Sequence, residues 1–300
     1  MKIIFMGTPD FAVPSLKILI DNNYDVPAVV TAPDRERGRG QKISYTAVKE
    51  FALRNNIIVL QPEKLRDENF ISQLKNFNAD AFVVVAFKIL PTEVFSIPPK
   101  GTFNLHGSLL PKYRGAAPIQ WALINGEHET GVTTFFLDEK VDTGKLILQE
   151  RIKIDDEDDF GTLHDRMSLI GAGAVLNTVR LIESGNAKLI TQDNSLATSA
   201  PKITKETAII DWSLPADKIH NLVRGLSPFP AAFFYYKEKI LKIYKTKINY
   251  EEKLSPSEIK QTKTKLFIGC GEGSLEILEL QHEGKKKLKA EEFLRGFSFN

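Results

Sequence analysis

Short apolar runs alternate with stretches in which apolar residues recur every three or four positions. The first run covers 2–6, Gly7-Thr8-Pro9-Asp10 breaks it, and 11–22 carries a helical period. A strand at 26–32, a loop at 33–43, a helix at 46–55, a strand at 57–60 and a helix at 69–76 follow. Residues 81–86 are almost wholly apolar, as a strand covered on both faces requires. This βαβα order predicts an α/β fold with a doubly wound, mostly parallel sheet. A strand at 102–105, a helix at 118–125, strands at 132–137 and 146–154, and a long helix at 160–183 complete it; Gly171-Ala172-Gly173-Ala174 should loosen that helix. From 184 to 207 the periodicity fades into small and polar residues. Beyond, short β-rich runs at 231–236, 240–246, 265–270 and 275–281, parted by charged turns, predict a small OB-like barrel. The expected organisation is an N-terminal catalytic domain over 1–188, a linker over 189–207 and a C-terminal domain over 208–300.

A length of 300 residues fits two domains, and 42% hydrophobic with 26% charged residues fits a soluble protein with a sizeable core. The net charge of +2 is uneven: residues 1–199 hold 22 basic and 25 acidic side chains, residues 200–300 hold 18 and 13. A basic C-terminal piece points to a polyanionic partner. Cys270 is the sole cysteine, which excludes a disulfide framework and a Cys-based zinc site and fits a reducing compartment. The apolar start is too short for a signal sequence and no run approaches a membrane span, so a cytoplasmic location is expected.

The most informative stretch is Asn104-Leu105-His106-Gly107-Ser108-Leu109-Leu110-Pro111, with Asp142-Thr143-Gly144 further on. His106 falls at the end of a short apolar strand, where open α/β sheets place reacting groups. Asn104, two residues earlier, shares its face. Asp142 follows another strand that could end at the same edge. An amide, an imidazole and a carboxylate, with no serine or cysteine nucleophile beside them, can polarise a carbonyl and move protons while the substrate supplies its own nucleophile. Ser108, Leu109, Leu110 and Pro111 would form a rigid wall for a flat ligand.

Gly7-Thr8-Pro9 occupies a phosphate-turn position but lacks the glycine fingerprint of dinucleotide sites, so it reads as a plain turn. The run 34–42 carries Arg35, Arg37, Arg39 and Lys42 between flexible glycines, which suits a segment that orders on a nucleic-acid backbone. In the tail, Lys237, Lys239, Lys242, Lys245 and Lys247 interleave with Tyr235, Tyr236 and Tyr244, and Lys285-Lys286-Lys287 adds a second patch. Together they form a plausible phosphate-tracking surface. The five histidines show no metal-ligand spacing, and no metal site is expected.

Phe5-Met6-Gly7-Thr8-Pro9-Asp10-Phe11-Ala12-Val13-Pro14, the block from Ser108 to Trp121, and Leu226-Ser227-Pro228-Phe229-Pro230 with the segments 278–281 and 291–296 carry a resemblance that runs nearly end to end: the chain resembles the methionyl-tRNA formyltransferase family. It implies 10-formyltetrahydrofolate as formyl donor, initiator methionyl-tRNA as acceptor, and a monomer. It places Asn104, His106 and Asp142 at the catalytic positions and Ser108, Leu109, Leu110 and Pro111 in the tetrahydrofolate-binding segment. Phe87, Ile89, Leu90 and Pro91 would line the pterin pocket. Arg35, Arg37, Lys42 and a central Arg39, with Lys237, Lys239, Lys242 and Lys286, would contact tRNA. Where many relatives read Ala-Tyr-Gly-x-Ile-Leu-Pro, this chain reads Ala86-Phe87-Lys88-Ile89-Leu90-Pro91, one residue shorter. Asn104 and a charged His106 would hydrogen-bond the developing oxyanion, and Asp142 would hold His106 charged and take a proton from the amine. A formyltransferase for an amino-sugar nucleotide, and a non-catalytic tRNA-binding protein, are the alternatives.

Overall fold

The structure, a computed structural model, describes residues 1–37 and 42–299. Two compact units emerge. The first comprises Met1–Gly115, Gly131–Ile152 and His164–Ser199; the second comprises Ala116–Thr130, Lys153–Leu163 and Ala200–Asn300.

The first unit is built on a seven-stranded sheet in the order Leu146–Lys153, Glu129–Phe136, Thr102–His106, Ala81–Val85, Lys2–Gly7, Asp25–Val30, Ile58–Leu60. Lys2–Gly7 pairs in parallel with both Asp25–Val30 and Ala81–Val85, and Ala81–Val85 with Thr102–His106; Thr102–His106 and Glu129–Phe136 run antiparallel. The predicted doubly wound sheet is thus present. All five residues of Ala81–Val85 are buried, as their unbroken apolar run requires. Thr46 and Asp67 start the flanking helices Ala47–Arg54 and Glu68–Asn76 by accepting hydrogen bonds from Lys49 N and Phe70 N, 3.1 and 2.9 Å, which satisfies amides that lack a helical partner.

The helix Phe160–Glu183 runs unbroken for 24 residues. Gly171 does not loosen it. A Cβ there would lie 2.7 Å from Leu105 Cδ2, so the glycine lets the helix close onto the strand that carries Asn104 and His106. Leu105 is thereby buried against the helix while Asn104 and His106 point to the opposite face. The expected loop at 33–43 contains a short antiparallel pair, Arg35–Arg37 with Lys42–Ser44.

The second unit is a six-stranded antiparallel half-barrel sheet. Its main path is Ala232–Tyr236, Lys239–Asn249, Ser274–His282, Leu266–Gly269, Ile259–Gln261, with Leu288–Lys289 added beside Ser274–His282. The sequence reading anticipated four of these strands but not Ile259–Gln261, Leu288–Lys289 or two helices. Ala216–Leu226 buries Ile219, Val223 and Leu226 against the sheet core, and Ala290–Leu294 buries Phe293. The compact units also cut the chain differently from a single boundary near 189–207. Gly225 explains part of this: a Cβ there would lie 2.9 Å from Gln120 O, so the helices Ala216–Leu226 and Pro118–Ile124 meet closely. Arg224 adds a second tie, its Nε and Nη2 donating to the Asp158 and Asp155 carbonyls at 2.7 and 2.9 Å.

Candidate active site

His106 is the last residue of its strand and only 6% exposed. Its Nε2 lies 2.8 Å from the Tyr113 carbonyl, and its Nδ1 lies 3.9 Å from Asp142 Oδ2. The Phe135 ring meets the imidazole edge-on at 6.5 Å. With Nε2–H donating to Tyr113, the Nδ1 edge faces the carboxylate. That separation is too long for a direct hydrogen bond and short enough for one to form on a small movement.

Asp142 sits in the turn between Glu129–Phe136 and Leu146–Lys153 with φ +56°, a left-handed conformation that aspartate tolerates better than most residues. Gly115 N–H donates to its Oδ2 at 2.9 Å, fixing the carboxylate that faces His106. Gly144 has a steric duty: a Cβ there would fall 1.7 Å from the Phe136 carbonyl oxygen. Asn104 is half-buried, on the same face as His106, and its side-chain amide has no hydrogen-bond partner among the described residues. Asn104, His106 and Asp142, singled out from sequence, are therefore one strand end and one adjoining turn.

The segment after His106 is held by the neighbouring strand. Thr133, directly opposite His106, donates through Oγ1 to Ser108 O at 2.6 Å and accepts from Leu110 N at 3.1 Å. Gln149 Nε2 donates to Leu110 O at 2.8 Å and to Thr133 Oγ1 at 3.0 Å, and Ser108 Oγ donates to Lys112 O at 2.6 Å. Leu110 is buried with Phe135 and Leu146, whereas Leu109 and Pro111 are half-buried.

The four pterin-pocket residues separate in the same way. Leu90 is buried in the core formed by Ile4, Met6, Phe82, Val84 and Val94, and Phe87 packs on that core half-buried. Pro91 begins the short helix Thr92–Phe95, and Ile89 is 75% exposed. Leu137 packs on both this core and the Leu110 cluster, so the two segments share a wall residue. Phe87 and Lys88 also line a cleft of about 390 Å³ with Thr8, Pro9, Arg35 and Thr46 at the ends of the parallel strands. The Gly7-Thr8-Pro9 turn, read from sequence as plain, is thus a cleft wall.

Of the basic run, Arg35 is exposed at that cleft. Asp34 beside it is anchored by Lys49 at 2.5 Å and by Gln61 Nε2 at 2.8 Å, and these hydrogen bonds hold its carboxyl below the usual range. Arg39 lies outside the described residues, as do the side chains of Arg37 and Lys42.

In the second unit, Lys237, Lys239 and Lys286 are exposed. Lys237 and Glu238, both at positive φ, make the two-residue turn between Ala232–Tyr236 and Lys239–Asn249. Lys242 is half-buried and donates to Pro230 O at 3.0 Å. Register shifts between Ile243 and Thr246 set the inward positions at Leu241, Ile243 and Thr246, leaving Lys245 and Lys247 outward. Part of the positive charge is answered locally, since Lys245 pairs with Glu157 at 2.9 Å and Lys287 with Glu279 at 2.7 Å.

Sequence reasoning missed Gln192, assigned to the linker. It is 7% exposed and donates to the backbone carbonyls of Asp142 and Gly144, on either side of Thr143. A lone glutamine between Thr191 and Asp193 carries no pattern that would single it out. Among the described residues no group of histidine, cysteine and acidic side chains could hold a metal, and no helix is long and apolar enough to cross a membrane.

Comparison with known proteins identifies the family. Residues 1–179 match the formyl transferase family and residues 202–298 match the formyl transferase C-terminal domain. The chain is 48% identical over 306 residues to a methionyl-tRNA formyltransferase of Flavobacterium johnsoniae, covering 100% of this chain and 97% of that one. It is 47% identical over 299 residues to the methionyl-tRNA formyltransferase of Caldanaerobacter subterraneus, covering 99% and 97%. In fold it is similar to the N-formyltransferase of Helicobacter canadensis, solved with folinic acid and dTDP-3-aminofucose, at a TM-score of 0.69 and 22% identity over 96% of this chain and 100% of that one. With both family domains matched in order and nearly half of all residues identical over the full chain, this chain belongs to the formyl transferase family.

Proposed function

We propose that the chain transfers the formyl group of 10-formyltetrahydrofolate to the α-amino group of methionine carried by initiator tRNA. The observation that carries the acceptor assignment is the extent of the similarity: 47–48% identity to methionyl-tRNA formyltransferases continues through the basic second unit to the end of the chain. A small-amine formyltransferase shares the catalytic chemistry, but its likeness here is one of fold.

In this reading the methionyl amine attacks the formyl carbon, the new C–N bond forms, and the bond to the donor nitrogen breaks. Asn104, whose amide is uncommitted, donates to the formyl oxygen as negative charge grows on it. Loss of one such donor typically costs about 3–4 kcal/mol. His106 works from its Nδ1 edge, because Nε2 is occupied by the Tyr113 carbonyl. Asp142 faces that Nδ1 edge across 3.9 Å, so its carboxylate can take the proton that leaves the amine while the imidazole passes one from Nδ1 to the departing donor nitrogen. No covalent enzyme intermediate is required.

The apolar residues suit a flat heterocycle. Leu90 and Leu110 are buried backing, while Phe87, Ile89, Leu109 and Pro111 keep surface to offer. The exposed Arg35, Lys237, Lys239 and Lys286, with Lys242 and the further cations of the basic run, Arg37, Arg39 and Lys42, would engage tRNA phosphates. That term weakens linearly in log salt. The protein would act as a cytoplasmic monomer.

The test is formyl transfer to charged initiator tRNA, charged elongator tRNA and an amino-sugar nucleotide in parallel. Preference for the initiator is the expected result. Transfer to the sugar nucleotide alone would discard the tRNA assignment, and tRNA binding without transfer to any acceptor would favour a binding protein.

A further inference from the structure

Gln192 uses both ends of its amide. Its Nε2 donates to the Asp142 carbonyl at 2.9 Å and to the Gly144 carbonyl at 2.8 Å. Its Oε1 accepts from Arg114 Nη2 at 2.6 Å and from Arg114 Nε at 3.2 Å. Arg114 Nη2 also donates to Asn194 at 2.9 Å. The residue next to Arg114, Gly115, supplies the N–H that grips Asp142 Oδ2 at 2.9 Å. The buried glutamine therefore ties together two segments: one carries the carboxylate, the other carries the N–H that aims it.

We propose that Gln192 is a positioning residue for Asp142, acting with Arg114 as a clamp that sets the carboxylate opposite His106 Nδ1. The proposal deepens the functional reading and rests on the proton-handling role given there to Asp142. The physical need is visible in the backbone. Asp142 is held at φ +56°, a conformation that costs a non-glycine residue free energy and persists only where surrounding bonds over-determine it. Thr143 Oγ1, donating to Lys140 O at 3.0 Å, closes the turn from within. Gln192 and Gly115 are the groups that hold it from outside. Without the two amide donations the turn is free to relax, and the 3.9 Å spacing between Asp142 and His106 is lost with it. The chemistry at Gln192 is directional. Glutamate at this position keeps the acceptor for Arg114 but turns an oxygen toward two carbonyl oxygens, whereas methionine keeps the shape and removes every hydrogen bond.

Three measurements on the full-length enzyme test the clamp. Gln192→Met and Gln192→Glu should each lower kcat for formyl transfer to methionyl-tRNA by about 10- to 100-fold, with KM for both substrates within about twofold. In an Asp142→Asn background, Gln192→Met should add less than about a twofold further loss, because a clamp that acts through the carboxylate has nothing left to aim. Independently of any activity, hydrogen exchange at the Gly115 amide should accelerate at least about tenfold in Gln192→Met, while amides of the strand Thr102–His106 keep their protection. An unchanged kcat, a full multiplicative loss on top of Asp142→Asn, or unchanged exchange at Gly115 would each overturn the proposal. So would failure of both variants to fold, since Gln192 would then be a general structural brace. If the parent enzyme does not formylate methionyl-tRNA, the acceptor assignment fails, and the exchange experiment still judges the clamp.

Discussion

The strand-end site and the lysine-bearing sheet use polar side chains in opposite ways. At the strand end nearly every group is committed to a partner: His106 to Tyr113, Asp142 to Gly115, Thr133 to Ser108 and Leu110, Gln192 to three residues. Asn104 alone of the catalytic set keeps an open amide. On the sheet, Lys237, Lys239 and Lys286 stand in solvent. Proton transfer and oxyanion stabilisation fail if atoms move by about 1 Å, so their groups are braced. Attraction to a phosphate chain acts over a Debye length of about 8–10 Å and tolerates mobile side chains. One region spends its hydrogen bonds on position, and the other keeps its charges available.

Substitutions should divide along that line. The largest effect belongs to Asn104→Ala, which removes the open donor: kcat should fall about 10²- to 10³-fold with tRNA affinity unchanged. Steady-state kinetics beside a binding titration measures both, and a comparable loss in affinity would move Asn104 to the binding surface.

Next comes a stability effect in the second unit. His220 lies against Thr246, with Nδ1 2.8 Å from its hydroxyl, and burial followed by the nearby Arg224 pushes its pKa down from 6.5 to about 4, while Glu157 opposes the shift. Between pH 6.5 and about 4 the unfolded chain therefore binds a proton that the folded chain refuses. Stability is fully present above pH 6.5 and is lost as the pH falls toward 4, by at most about 3 kcal/mol and less where solvent screens the ring. His220→Gln should flatten that part of the stability-versus-pH curve in urea titrations. A variant curve parallel to the parent would remove His220 as its source.

A smaller change is expected from replacing Lys237, Lys239 and Lys286 together by glutamine. The slope of log affinity for tRNA against log salt should shrink by roughly 2–3 if all three meet phosphates, with kcat at saturating tRNA held within about twofold. An unaltered slope would take these lysines off the interface. The smallest effect is at Cys270, 2% exposed and with its thiol pushed up to about 11 by burial. Native protein should resist alkylation at neutral pH, as a buried neutral thiol does. Rapid labelling by mass spectrometry would show that the sheet core opens.

What was legible in the sequence follows the range of the interactions concerned. The all-apolar 81–85 run and the alternation through Asn104, Leu105 and His106 are local patterns, and both placed their residues correctly on the sheet. Asp142-Thr143-Gly144 was visible as a turn, although the need for Gly144 became clear only from the Phe136 carbonyl beside it. The helix Ala216–Leu226 was missed although Ala216, Ile219, Val223 and Leu226 recur at helical spacing, because it is short, lies among β-rich runs and carries Gly225, which lowers its helical propensity. Gly171 was read as a weak point, yet it and Gly225 each permit a close approach by a segment far away in sequence. Gln192 left no trace for the same reason: its partners lie about 50 and 78 residues away, and no local period records such a contact.

The most direct test of the account is a single-turnover measurement with His106→Ala at saturating enzyme and 10-formyltetrahydrofolate, on charged initiator tRNA. The account predicts that the chemical step slows at least about 100-fold while the tRNA dissociation constant stays within about twofold of the parent value. A chemical step at the parent rate, or a loss wholly explained by weaker tRNA binding, would contradict the assignment of His106 and Asp142 to proton transfer.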